Sequence, residues 1–362
     1  MLRIVFTLML FIHGFIHLLG FLKAYKLAQL EQLTMPISKP VGIVWLISTI
    51  LFLITLFLFI FQKDVWWMAG LTAIILSQIV IIFSWNDAKY GTIPNFIILL
   101  LIVIAYGVWN FNRYAALEQQ NIFSELTKNN SKLELSELDK LPHPVRNWVI
   151  NSGAVGKEKV FSVRLEQSAK IRLESDQVDW YDGKAIQYFS IEKPAFIWTV
   201  DLEMNPFVFV KGRDLFVSGK GKMLIKLYSL FSVVDVSNEK INEGTMQRYL
   251  GEIVWFPSAA ICSYINWKSI DSLSAEVTMT YNGVSVNAAF FFDESGEFKR
   301  FEALRYMGAD DKAEKYPWVI TSNKNECLNG IKIPVDMDVT WKLPKGDFHW
   351  LKVQLTKIDY NI

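Results

Sequence analysis

Two histidines, His13 and His17, stand four residues apart in the apolar stretch IHGFIHLLGF. On a helix that spacing puts both imidazoles on one face. Ionisable side chains inside a membrane span point to function by default, here a haem, metal or proton site, and a count of ligands tests the idea. The other histidines, His143 and His349, lie far along the chain, and the apolar segments hold no Cys, Asp or Glu. Two rings one turn apart on one helix cannot occupy opposite axial positions of a haem, and a zinc ion would lack its remaining ligands. The expectation is therefore neutral histidine hydrogen-bonded to a neighbouring helix, with Gln78 as a partner, and no metal or cofactor.

Elsewhere the chemistry is sparse. Glu252, in TMQRYLGEIVWFPSAA, could form an acid/base pair with His143 or His349, but no spacing brings them together. Arg248 and Glu252 are four apart on one helix, so a surface ion pair accounts for both. Asp176, Asp179 and Asp182 are spaced by three, whereas an EF-hand needs alternating ligands and a closing Glu, so a solvated turn is expected. GKGK at 219–222 lacks P-loop spacing, and there is no G-x-S-x-G, H-E-x-x-H, C-x-x-C or dinucleotide fingerprint. Cys262 and Cys327 are too few for a disulfide scaffold and lack zinc-ribbon spacing; they allow one bridge or none.

The elements that position these residues divide sharply. Residues 4–22, 41–61, 65–85 and 93–111 carry no charged side chain, and a helix needs about 20 apolar residues to cross the hydrocarbon layer. Residues 1–113 are therefore read as a four-helix transmembrane domain. Arg3 before an apolar run resembles a signal peptide, but no small-residue cleavage site follows, so the first helix is read as retained. Trp66, Trp67, Trp85 and Trp109 gather at span ends, at headgroup level. An even number of spans puts the N-terminus and the C-terminal domain on one side. Lys23, Lys26, Lys39 and Lys89 in the alternate loops outnumber Arg3, Lys63 and Arg113 by one, which favours an outside C-terminal domain.

Residues 114–140 read as a polar connector, and residues 141–362 as a mostly antiparallel β domain. HPVRNWVINSG suggests a short helix ended by Gly153, with Val145, Trp148 and Val149 on one side. Then the period changes to two: Ala275, Val277, Met279 and Tyr281 share a face, as do Ile333, Val335, Met337, Val339, Trp341 and Leu343. Asp182-Gly183, Asn282-Gly283 and Ser295-Gly296 supply hairpin turns. One amphipathic helix interrupts, with Met246, Tyr249, Leu250, Ile253 and Val254 as its apolar stripe and Pro257 stopping it. The expected fold is a membrane helical bundle plus an α+β domain dominated by a large curved antiparallel sheet with one or two helices packed on it. Eight tryptophans in this domain, at positions 148 to 350, build an aromatic core or line a cavity for an apolar ligand. In the second case Trp198, Tyr249, Trp255 and Trp341 are the expected lining.

Several segments carry a family resemblance: IHGFIHLLGF at 12–21, WNDAKYGTIPN at 85–95, LPHPVRNW at 141–148, RYLGEIVWFPSAA at 248–260 and GIKIPVDMDVTW at 330–341. Together they resemble an uncharacterised bacterial membrane family, a domain of unknown function with four N-terminal helices and a C-terminal β domain. The resemblance implies this architecture and no activity. More loosely, the β domain is similar to the fold of periplasmic lipoprotein carriers, which would place it outside the cytoplasmic membrane.

With 37 Lys and Arg against 36 Asp and Glu, the chain lacks the basic surface a phosphate backbone requires, and nucleic acid is not an expected partner. The lipid bilayer is, together with a lipid, lipoprotein or other apolar ligand held by a membrane-anchored, extracytoplasmic domain. The alternatives are a membrane-surface hydrolase using Glu252 with a histidine, and a structural or signalling module whose helices bind a partner protein.

Overall fold

The computed structural model describes residues 2–126, 128 and 130–362. Two compact units separate, residues 1–113 and 114–362. The first begins with α1 (Leu2–Ala24), α2 (Lys39–Ile60) and α3 (Trp66–Phe83). A single-turn α4 (Trp85–Ala88) and a 3-10 turn (Lys89–Gly91) lead into α5 (Thr92–Ser124). Four helices are long and apolar enough to cross a membrane. Pro40 stands in the first turn of α2, where its missing N–H costs nothing. The helices meet at small residues: a Cβ on Gly14 would lie 2.7 Å from Phe52 Cβ, and one on Gly20 would lie 2.2 Å from Trp45 Cδ2. Phe6, Leu10, Phe52, Ala73, Ile74, Ile98 and Ile102 form the apolar centre. Helix α5 continues beyond residue 111, where the apolar run ends, because Leu117, Glu118, Gln119 and Gln120 are all good helix formers.

In the second unit α6 (His143–Asn151) buries Val145, Trp148 and Val149 as its sequence pattern requires, and Gly153 follows at φ 73°. Six strands come next: β1 (Ser162–Ile171), β2 (Tyr181–Ser190), β3 (Ala195–Asn205), β4 (Val208–Val217), β5 (Lys220–Leu227) and β6 (Phe231–Val236). Helix α7 (Glu239–Glu252) leads to β7 (Ile265–Ser269), β8 (Ser274–Tyr281), β9 (Val284–Phe292) and β10 (Phe298–Tyr306). The chain closes with β11 (Lys315–Leu328), β12 (Ile331–Leu343) and β13 (Gly346–Tyr360). All the strands form one antiparallel sheet in the order β6-β5-β4-β3-β2-β1-β13-β12-β11-β10-β9-β8-β7. It is two meanders joined at the centre, where Leu165 of β1 stands opposite Ile358 of β13.

The sheet curls into a half-barrel whose wings touch. Tyr264, just before the edge strand β7, donates its hydroxyl proton to the Ile191 carbonyl beyond β2 at 2.7 Å. In the β4–β5 turn, a Cβ on Gly219 would lie 3.1 Å from Asn282 Cβ in the β8–β9 turn. Helix α7 carries the chain from one edge to the other inside this curl, packing on β4, β5, β9 and β10. Asn238 caps it by accepting from the Ile241 amide at 3.0 Å. Met246, Tyr249 and Leu250 are fully buried, while Ile253 and Val254 fall in a following 3-10 turn ahead of Pro257.

The architecture is thus the expected one, a helical N-terminal part and a β domain of one large curved sheet with helices packed on it. Alternation is realised in β12, where Ile333, Val335, Met337, Val339 and Trp341 are all buried. Asn282 and Gly283 take φ of 47° and 81°, as a type I′ turn requires. Asp182-Gly183 is not a turn. Both residues lie inside β2, paired with Glu203 and Leu202, and a Cβ on Gly183 would approach Val200 Cγ2 to 3.2 Å, so this glycine answers to cross-strand packing.

Candidate functional site

Register places a polar row on the concave face of the half-barrel. Asp214 of β4 stands opposite Trp198 of β3, which stands opposite Gln187 of β2, with Gln167 of β1 beside them. Helix α7 lowers Arg248 and Glu252 onto that row. Arg248 donates from Nε to Glu252 Oε1 at 2.9 Å and from Nη1 to Asp214 Oδ2 at 2.7 Å. Gln187 Nε2 donates to the other Glu252 oxygen at 2.7 Å, and Trp198 Nε1 donates to Gln167 Oε1 at 3.0 Å. The Arg248 guanidinium also lies over Trp198, with Cζ 4.6 Å from the ring centroid. Arg248 and Glu252 are therefore a buried pair joined to four strands, not the surface pair their spacing suggests. Burial pushes the Glu252 carboxyl up from its ordinary value, and the Arg248 charge opposes the rise.

A second arginine completes the cluster from the opposite wing. Arg305 of β10 lies over Trp318 of β11, with Cζ 4.4 Å from the ring centroid, and reaches Trp341 of β12 at 5.9 Å. Gly244 of α7 makes its room: a Cβ there would be 3.1 Å from Arg305 Nε. Burial, then repulsion from Arg248, brings the Arg305 pKa down to about 10. Among the described residues Arg305 makes no hydrogen bond or ion pair, since Asp214 and Glu252 are both committed to Arg248.

Of the residues expected to line a ligand site, Trp198 and Trp341 thus stand at the arginine cluster. Tyr249 and Trp255 lie deeper, packed on Phe189, where Tyr249 donates to the Ser190 carbonyl at 3.1 Å and Trp255 to the Pro334 carbonyl at 3.0 Å. Gln167, Gln187, Asp214 and Arg305 escape the sequence reading. The signal they carry is a polar side chain at an inward strand position, such as Gln187 between Ala185 and Phe189.

Glu252 is enclosed, while His143 and His349 are exposed, one beside Asn147 and the other at Thr340, so the imagined acid/base set is not assembled. On the opposite face of the sheet, the tail of α5 places Ile122 against Ala195 and Ile197. There Glu118, Ile122, Lys193, Leu215 and Tyr281 border a cavity of about 330 Å³, and none of the four expected aromatics reaches it. Cys262 and Cys327 are both free thiols.

In the helical unit His13 and His17 are both buried and hydrogen-bonded to neighbouring helices. His13 Nε2 donates to Asn95 Oδ1 at 2.8 Å, and His17 Nδ1 donates to the His13 carbonyl at 2.8 Å. His17 Nε2 then accepts from the Ser77 hydroxyl at 2.8 Å, and the Asn95 amide donates to Ser77 and Gln78. Gln78 joins through Asn95 and does not bond either ring.

Two solved structures are similar to part of this chain. A LolA superfamily protein from Nitrosomonas europaea is 10% identical over 65% of this chain and 95% of its own, with a TM-score of 0.31. A beta-barrel-like protein of domain of unknown function DUF1849 from Brucella abortus is 8% identical over 56% of this chain and 98% of its own, with a TM-score of 0.27. No curated protein matches the chain. Residues 139–360, more than half of the sequence and nearly the whole β domain, match a family of unknown function, and the chain belongs to that family, DUF6920.

Proposed function

We propose that this protein binds a lipid, a lipoprotein or another apolar ligand in the concave face of its half-barrel, which the four apolar helices anchor at the cytoplasmic membrane on the extracytoplasmic side. The observation that carries this reading is uneven burial of one continuous apolar face. Beneath α7, Phe189, Phe196 and Phe216 keep none of their surface. Farther along the same face Trp198 keeps 8%, and Trp341, Leu351 and Val353 keep 7% each, although all point inward. An aromatic and aliphatic wall of this extent suits an apolar guest, whose transfer from water is favourable by about 25 cal/mol per Å² buried.

Two measurements test this. Mass spectrometry of the full chain extracted in mild detergent should find co-purifying lipid, and a brominated alkyl probe should quench tryptophan emission. Absence of both would sink the reading. For sidedness, Cys327 is an exposed thiol and Cys262 is not, so a membrane-impermeant maleimide should label Cys327 in intact spheroplasts. Labelling only after lysis would put the domain on the cytoplasmic side.

A further inference from the structure

We propose that Arg305 receives the anionic group, phosphate or carboxylate, of the ligand, so that the protein selects a negatively charged amphiphile over a neutral one. This rests on the apolar-binding reading and adds a head group to it. Two arginines stand in the half-barrel, and their circumstances differ. Arg248 has two carboxylates, Asp214 at 2.7 Å and Glu252 at 2.9 Å, and both are thereby spent. Arg305 has aromatic faces on one side, Trp318 and Trp341, a glycine where α7 passes it, and no hydrogen-bond acceptor among the described residues.

A guanidinium carries five N–H donors in a fork that matches carboxylate and phosphate oxygens. None of the Arg305 nitrogens is among the buried unpartnered atoms, so solvent reaches the fork, and an anion of fitting geometry displaces that water. Trp318 and Trp341 offer the guanidinium their ring faces, with Cζ 4.4 and 5.9 Å from the centroids. The same rings belong to the apolar wall, Trp341 pairing with Trp318 across β12 and β11, so a head group at Arg305 leaves its chain against Trp341 and, two residues back along β12, Val339 with Leu351 opposite it on β13. Gly244 lets α7 pass close to the guanidinium, and any side chain there would press on it.

The test uses the full chain in a non-ionic amphipol, titrated with octyl phosphate, octanol and inorganic phosphate while tryptophan emission is read. Octyl phosphate should bind at least about ten-fold more tightly than octanol, since a charge-assisted bidentate contact separates them. Arg305→Met should abolish that preference, and Arg305→Lys should keep part of it. Octanol binding as well as octyl phosphate, or a preference that survives in Arg305→Met, overturns the Arg305 assignment and leaves the apolar reading standing. Inorganic phosphate binding as tightly as octyl phosphate supports the anion site and removes the apolar chain. If no probe binds the wild-type chain, both readings fall. Should Arg305→Met not fold, Gly244→Ala offers a second route, expected to weaken octyl phosphate selectively by crowding the guanidinium.

Discussion

Arg248 of α7 and Trp198 of β3 stack as cation on ring, Cζ lying 4.6 Å from the ring centroid inside the half-barrel. Position 248 thereby ties helix α7 to the row Asp214, Trp198, Gln187 on three adjacent strands. Arg248→Met should destabilise the β domain by about 3–5 kcal/mol, because Asp214 and Glu252 are left as buried, uncompensated charges. Replacing all three charges by apolar residues of like volume should cost far less. Urea unfolding followed by tryptophan emission measures both, and equal losses in the two variants would show that the charges are not the cause.

Tyr249 and Tyr264 hold the two wings together through the β2–β3 turn, their hydroxyls 3.1 Å apart and bonded to the Ser190 and Ile191 carbonyls. Tyr249→Phe should cost about 1 kcal/mol, one buried hydrogen bond. Burial raises both phenols well above their ordinary value. Neither should ionise in a spectrophotometric titration until the domain unfolds, and an early tyrosinate signal lost in Tyr249→Phe would contradict this.

Asp293 makes the domain sensitive to acid. Partial burial acts to raise its carboxyl, but Lys299, the Ser295 hydroxyl and the Glu297 amide prevail and hold it at about 2. A carboxylate with a depressed folded pKa contributes stability that is present above its unfolded value, near 3.8, and is lost as pH falls toward 2. Asp293→Asn should therefore lower the melting temperature at neutral pH and make little difference near pH 2. A difference that stays constant from pH 7 to pH 2 would refute the assignment.

In the helical unit, Gly20→Ala would set a methyl 2.2 Å from Trp45 Cδ2 and force α1 and α2 apart. Overpacking of this kind costs about 1–3 kcal/mol. The variant should lower the melting temperature in detergent, and the double variant Gly20→Ala, Trp45→Leu should recover part of it. Asn95→Ala, which strands the Nε2 donor of His13, should cost roughly 1 kcal/mol, near the scale of interhelical hydrogen bonds in membranes.

What was legible in the sequence follows from which physical requirements are local. Crossing a membrane demands an unbroken apolar run because each backbone group must be satisfied within its own helix, so the four helices can be read directly from charge and length. A half-buried strand shows its alternation, and β8, β9 and β12 are visible from 275, 284 and 333 onward. Strands β10 and β11 are hidden, since the register shifts between Phe298 and Arg300 and again between Ser322 and Lys324, which breaks the period.

The arginine cluster was not legible at all. The sequence alone established that Arg248 and Glu252 share a helix face, that Trp341 lies on an alternating strand, and that His13 and His17 share a face too few ligands surround. Only the tertiary structure decided that the helix face turns inward, that Asp214 lies under Arg248, and that Arg305 arrives from the other wing with no acceptor of its own. Those facts depend on β1 pairing with β13 and on the curl that brings β4 and β10 against one helix. Such closures join residues far apart in the chain, and their free energy is shared among many contacts, so no single stretch of sequence records them.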